Sequence, residues 1–87
     1  NLKTDISIYP NPVNDMLFIS IKSNTLKNYL VEINSVSGQK ISSATYSNTQ
    51  NLRIEYPRNS SMQSGVYLLT ITDLLSKERQ TFKLIYK

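Results

Sequence analysis

Residues 65–72 have the sequence GVYLLTIT and form the most apolar run of this 87-residue chain. In an extended strand, successive side chains point to opposite faces. One face of this run would carry Tyr67, Leu69 and Ile71, and the other Val66, Leu68 and two threonines. A strand that is apolar on both faces is typical of a position covered on both sides. The run therefore predicts a central β-strand, and Gly65 allows a sharp turn immediately before it.

Six further runs on either side alternate apolar and polar residues with a period of two, which indicates strands. They cover residues 5–9, 16–22, 29–36, 39–46, 52–56 and 81–86. Polar, glycine or proline segments separate these runs at intervals of roughly ten residues, as in antiparallel sandwiches. The pattern predicts an all-β protein, an immunoglobulin-like antiparallel β-sandwich of about seven strands. A small β-barrel is the alternative.

The alternation also predicts which side chains reach the core. Large apolar residues gather on one face of several runs, namely Leu17, Ile19, Ile21, Tyr29, Val31, Ile33, Tyr67, Leu69, Ile71, Phe82, Leu84 and Tyr86. Met62 is the only apolar residue between Arg58 and Ser64, so we expect a loop or one helical turn to place it on the core. Ser37-Gly38 is a small pair suited to positive φ, and we expect a hairpin there.

The positive charge of the chain is concentrated near its end. Net charge is +4, and residues 77–87 contain Lys77, Arg79, Lys83 and Lys87 against Glu78, which is 4 − 1 = +3. Exposed lysines protect edge strands from aggregation, and this is one explanation. The other explanation is a docking surface for an anionic partner.

The residues that usually carry chemistry are absent or scattered. The chain has no cysteine and no histidine, and its six carboxylates and two glycines form no motif. We therefore expect no catalytic site, no cofactor and no metal. Asn11, Asn14 and Asp15 could meet around calcium, but such side chains more often bond their own backbone in turns. We also expect no nucleic-acid binding, because the tyrosines fall largely on core positions, and no membrane span, because no apolar run approaches about 20 residues.

Four segments, in this order, are similar to those of a known family. They are Pro10-Asn11-Pro12 after the first strand, Ser37-Gly38-Gln39-Lys40-Ile41 at the hairpin, Gly65-Val66-Tyr67-Leu68-Leu69, and Lys83 with Lys87 near the end. Together they resemble the type A C-terminal sorting domain of the type IX secretion system of Bacteroidetes, the Por secretion system family. The resemblance covers nearly the whole chain, so we expect residues 1–87 to form a single sorting domain.

The resemblance implies a non-catalytic secretion signal with an immunoglobulin-like fold. Such a domain directs a cargo, attached N-terminal to it, through the outer-membrane translocon, so the whole protein would be secreted or held at the cell surface. Its partners would be the type IX translocon and shuttle proteins, and a sortase-like peptidase that normally cleaves the domain off near or upstream of Asn1. The chain lacks an initiator methionine, which fits a piece of a longer protein.

The resemblance also suggests roles for individual residues. We expect the translocon to recognise Arg79, Lys83 and Lys87. The family motif residues are expected to be mainly structural, with the prolines forming a rigid kink that sends the chain between sheets: Pro10, Asn11, Pro12, Gly38, Gly65, Tyr67 and Leu69. The alternative function is an immunoglobulin-like accessory module that binds carbohydrate or a protein partner. A weak homodimer through exposed edge strands also stays open.

Overall fold

The computed structural model describes residues 4–87, and these residues form an all-β protein of five strands. The strands are β1 (Thr4–Tyr9), β2 (Met16–Ser35), β3 (Lys40–Pro57), β4 (Gly65–Asp73) and β5 (Arg79–Tyr86). The five strands pair antiparallel in one sheet of order β1-β2-β4-β5, and β3 also pairs with β2. Residues 4–87 include no helix that could cross a membrane. The cleavage position expected near Asn1 lies outside the described residues.

The predicted number of seven strands is wrong because two pairs of predicted strands are continuous. The polar segments 23–28 and 47–51 are extended, so β2 has 20 residues and β3 has 18. At about 3.3 Å per residue, a straight β2 would measure about 66 Å. The longest dimension of the protein is 38 Å. β2 must therefore bend, and its pairing with β3 shifts register between Lys22 and Lys27 and again between Lys27 and Tyr29.

The bend divides the sheet into two halves. In the first half, residues 18–23 of β2 pair with β1, and residues 16–22 pair with residues 51–57 of β3. In the second half, residues 29–35 of β2 pair with β4 and with residues 40–46 of β3, and β4 pairs with β5. Hydrogen bonding thus makes one bent sheet rather than the separate sheets expected. Across Pro10 and Pro12 the chain passes from β1, which pairs with β2 in the first half, to Val13, which makes a parallel bridge to Tyr86 of β5 in the second half.

Both halves contribute to one apolar core. Its buried side chains are Val13, Leu17, Ile19, Ile21, Tyr29, Val31, Ile33, Met62, Tyr67, Leu69, Ile71, Leu84 and Tyr86. All but Val13 were expected from the sequence, and Met62 reaches the core from a turn as predicted, with 2% of its surface exposed. Phe82, also expected, is only half-buried. β4 is a central strand between β2 and β5, as predicted, but its face with Val66 and Leu68 is only half-buried.

Candidate functional site

The cations predicted for recognition lie along β5 and directly after it. Leu84 and Tyr86 of this strand point into the core, whereas Arg79, Lys83 and Lys87 are exposed. The salt bridges within residues 4–87 are Lys27 to Asp73 and Lys40 to Glu32, each at 3.2 Å, so none of these three cations is neutralised internally. We call Arg79, Lys83 and Lys87 the basic strip. Its charges face solvent.

The far edge of β5, opposite β4, is partly covered by the turn that follows β1. The Asn11 side chain donates from Nδ2 to the Lys83 carbonyl at 3.3 Å and accepts at Oδ1 from the Ile85 N–H at 3.1 Å. The Val13 N–H donates to the Ile85 carbonyl at 2.7 Å, and the Val13 carbonyl accepts from the Lys87 N–H at 2.9 Å. Residues 11–13 therefore act as a short strand beside the end of β5, with a parallel bridge between Val13 and Tyr86.

The Pro-Asn-Pro sequence suits this cap. Proline has no N–H, so Pro10 and Pro12 offer no competing backbone donor on either side of Asn11. An asparagine amide carries both a donor and an acceptor, as a peptide group does, and can pair with a strand edge. Val13 follows the motif and is fully buried, which anchors the cap to the core. Asn11, one of the residues considered for calcium, thus uses its amide on β5.

Arg58 also holds the end of β5, and the sequence did not single it out. Its Nε donates to the Met62 carbonyl at 2.9 Å, and its Nη1 donates to the main-chain oxygens of Asn14 at 2.8 Å and Lys87 at 2.6 Å. The guanidinium also lies 5.3 Å from the centre of the Tyr86 ring. Arg58 follows Pro57 in a polar segment, where no periodicity distinguishes it from a solvated arginine.

Three further motif residues lie in β4 or in a turn: Gly65 and Tyr67 belong to β4, and Gly38 lies between β2 and β3. Tyr67 is buried, its hydroxyl donates to the Gln63 carbonyl at 2.8 Å, and its ring meets Tyr86 edge-on with centroids 5.2 Å apart. Gly38 and Gly65 have φ of 96° and 150°, values that L side chains rarely adopt. A Cβ at either position would touch nothing within 4 Å, so the need for glycine comes from the backbone.

Tyr86 is a buried titratable group at the end of β5. Burial raises the pKa of Tyr86 to about 12, and the neighbouring Tyr56 and Tyr67 add to the rise while Arg58 opposes it. The Tyr86 hydroxyl is therefore neutral at physiological pH. Within residues 4–87, no cluster of three His, Cys, Asp or Glu side chains could hold a metal ion.

One aromatic pair is exposed on the outer face of the first half. Tyr9 stacks on Phe18 with ring centroids 5.4 Å apart and an interplanar angle of 19°, and 43% of Tyr9 is exposed. Carbohydrate-binding surfaces use exposed aromatic rings, so this pair bears on the alternative function. It lies on β1 and β2, whereas the basic strip follows β5.

Comparisons with known proteins agree on a family and a fold. The chain is similar to dimeric latent PorU from Porphyromonas gingivalis, with a TM-score of 0.74 and 20% sequence identity. That match covers 99% of this chain but only 9% of the PorU chain, and at this identity it shows a shared fold. No curated protein is significantly similar. The sequence profile of the secretion system C-terminal sorting domain matches residues 7–87. The chain therefore belongs to the family of type IX secretion C-terminal sorting domains and has the role of a sorting signal.

Proposed function

We propose that residues 1–87 act as one non-catalytic sorting domain, and that the type IX translocon recognises it through Arg79, Lys83 and Lys87. The observation that carries this proposal is that these three cations are exposed and make no salt bridge within residues 4–87. They lie on or directly after β5, whose C-terminal end is held by hydrogen bonds. Asn11, Val13 and Arg58 all make hydrogen bonds to that end. The charges are thus displayed on an ordered backbone.

Electrostatics favours an anionic surface on the recognising protein. Lys77, Arg79, Lys83 and Lys87 outweigh Glu78 by three charges over eleven residues. Exposed charges act over a Debye length of about 8–10 Å at physiological ionic strength. A complementary anionic surface would speed association with the domain and orient it, more than it would increase the binding affinity. Such recognition suits a transport signal that must be bound and then released.

Family membership supports the wider pathway. The cargo would be attached N-terminal to the domain and would leave the periplasm through the outer membrane for the cell surface or the medium. Shuttle proteins of the system and a sortase-like peptidase would act after the translocon, with cleavage before the domain. The two halves of the bent sheet enclose one core, which supports describing the fold as an immunoglobulin-like sandwich.

The exposed Tyr9–Phe18 pair supports a second candidate, an accessory module that binds carbohydrate or a protein partner. In that case Tyr9→Ala would abolish binding to polysaccharide and leave export unchanged. The remaining aromatic residues of the described chain are mostly buried or half-buried. A single pair is a smaller platform than the row of rings that carbohydrate modules usually display, so sorting is the better supported function.

The test is an export assay with charge-matched variants. The domain is fused behind a reporter that has an export leader, in a strain with type IX machinery. The reporter should appear in the medium or on the cell surface, and Lys83→Ala with Lys87→Ala should reduce this by about tenfold. The control is Lys22→Ala with Arg53→Ala, which removes two exposed positive charges from the first half. Adding Arg79→Ala to the first variant should reduce export further.

Two results would contradict the proposal. Retention of the unmodified fusion in the periplasm would argue against sorting. An equal loss of export in the Lys83/Lys87 variant and in the Lys22/Arg53 control would mean that the basic strip affects export only through the net charge of the domain. Circular dichroism of the purified domains should show that every variant keeps the fold, because each altered side chain is exposed.

A further inference from the structure

The cap formed by residues 11–13 covers only the last part of the β5 edge. Its hydrogen bonds reach Lys83, Ile85 and Lys87, so the main-chain groups of odd-numbered residues point away from β4. Antiparallel pairing alternates this direction along a strand. The N–H and C=O of Thr81 and the N–H of Lys83 therefore point the same way. Within residues 4–87 they have no hydrogen-bond partner.

A hollow lies beside this unpaired segment. Ile8 of β1 faces Phe82 and Leu84 of β5 across a cavity of about 290 Å³, and Asn11 and Lys83 line it as well. Ile8 and Phe82 are half-buried and could be covered further. A strand edge with free backbone groups, next to an apolar hollow, is the arrangement that binds an extended peptide by β-strand addition.

We infer that the β5 edge from Arg79 to Lys83 binds an extended acidic segment of a partner protein as an added β-strand. This inference rests on the proposed recognition of the basic strip and specifies the partner's chemistry and binding mode. The partner's backbone would pair with Thr81 and Lys83. One of its apolar side chains would enter the hollow beside Phe82, and its carboxylates would lie near Arg79 and Lys83. The cap at residues 11–13 would fix where the added strand ends.

Charge favours an acidic partner over a second copy of this chain. Pairing β5 with β5 of another copy would bring the cations of two basic strips together, and like charges across a pairing are destabilising. The outer edge of β3 also has no strand beside it within residues 4–87. That edge carries both signs of charge, with Arg53 and Glu55 two residues apart, whereas the edge residues of β5 are flanked by cations.

The test removes one backbone donor and leaves every charge in place. Thr81→Pro deletes the outward N–H and adds a ring on the pairing side, and proline is tolerated on edge strands when its missing N–H faces solvent. Thr81→Val is the matched control, because both variants lose the contact of the threonine hydroxyl with Thr70 at 3.3 Å. In the export assay, Thr81→Pro should reduce export at least tenfold and Thr81→Val less than twofold.

Amide hydrogen exchange gives a second readout that does not depend on the proline variant. In the free domain the Thr81 and Lys83 amides should exchange rapidly, and the Ile85 amide, bonded to Asn11, should exchange at least tenfold more slowly. An eight-residue synthetic peptide that alternates glutamate and valine should slow exchange at Thr81 and Lys83. The same peptide with lysine in place of glutamate should have no such effect.

The outcomes separate this inference from the function on which it rests. If the lysine variants reduce export but a folded Thr81→Pro domain is exported normally, recognition by the basic strip stands and strand addition is wrong. If neither change affects export, both fail. Rapid exchange at Thr81 and Lys83 in saturating acidic peptide would also overturn strand addition. Protection that appears with rising domain concentration alone would identify a second copy as the occupant and contradict the acidic partner.

Discussion

Arg58 donates hydrogen bonds to main-chain oxygens in three segments that are distant in sequence, those of Asn14, Met62 and Lys87. Lysine has a single point charge and cannot reproduce this planar fork. We expect Arg58→Lys to destabilise the domain by about 1–2 kcal/mol, since two or more hydrogen bonds to a charged group are lost or weakened. Urea unfolding measures the change.

Arg53→Lys is the matched control for that substitution. Arg53 is exposed on the outer face of the first half and its side chain makes no hydrogen bond within residues 4–87. Its replacement should change stability by less than about 0.5 kcal/mol. Equal effects of the two substitutions would mean that Arg58 does not hold the end of β5.

Asp73 makes the turn after β4 sensitive to acid. Burial alone would raise the pKa of Asp73, but the N–H groups of Ser76 and Leu75 and the Lys27 ammonium together lower it below its ordinary value. A carboxylate whose pKa is lowered by folding contributes stability above its unfolded pKa of about 4, and that contribution is lost as the pH falls through the folded pKa.

We therefore expect the pH dependence of unfolding to reveal this contribution. Asp73→Asn keeps an oxygen for the turn N–H groups but removes the ion pair with Lys27. It should cost about 1 kcal/mol at pH 7, and this cost should shrink as the pH falls below about 4, as measured by urea midpoints. Asp15→Asn removes an exposed carboxylate with no salt bridge within residues 4–87 and serves as the control. A difference between Asp73→Asn and the unmodified domain that stays constant as the pH falls below about 4 would contradict this account.

At the scale of the strands, the sequence predicted side-chain placement better than strand boundaries. Alternation depends on which face is buried, so Ile19, Val31 and Leu69 could be assigned correctly. Polar segments 23–28 and 47–51 looked like loops, because polarity normally marks connections. In the structure their side chains complete an irregular ladder, with Asn28 accepting from the Asn48 N–H and Gln50 donating to the Asn24 carbonyl. Local pattern does not encode such pairing between distant segments.

The same reasoning explains what was missed at the candidate site. The exposure of Lys83 and Lys87 follows from the period of β5, and the sequence suffices to predict it. The cap depends on Asn11 meeting residues 72 and 74 positions later in the chain, which no local pattern indicates. The Arg58 contacts also join segments that only the folded sheet brings together.

The β5 strand combines structural and recognition residues, so deletion and point substitution should differ in effect. Deleting residues 82–87 removes Leu84 and Tyr86, which are 0% and 2% exposed. Losing both should cost at least about 5 kcal/mol, which is comparable to the whole stability of a small domain. We expect the truncated domain to be unfolded by circular dichroism and not exported. Lys83→Ala with Lys87→Ala should stay folded and fail only in export. A truncated domain that remains folded would show that the core does not need β5.

For the molecule as a whole, the bend in β2 and β3 couples the two halves of the sheet. Both strands run through both halves, and side chains from each half pack in one core. We expect one cooperative unfolding transition, with far-ultraviolet circular dichroism and tyrosine fluorescence giving the same urea midpoint. Ile19→Ala in the first half and Leu69→Ala in the second should each cost about 2–5 kcal/mol and shift both probes together, whereas Ser7→Ala on the exposed face should shift neither. Two separated transitions in Ile19→Ala would contradict the coupling. If the coupling holds, Ile19→Ala should also reduce export, although Ile19 lies in the half of the sheet that does not contain the basic strip. A translocon that binds the folded β5 surface depends on every residue that keeps the sheet folded.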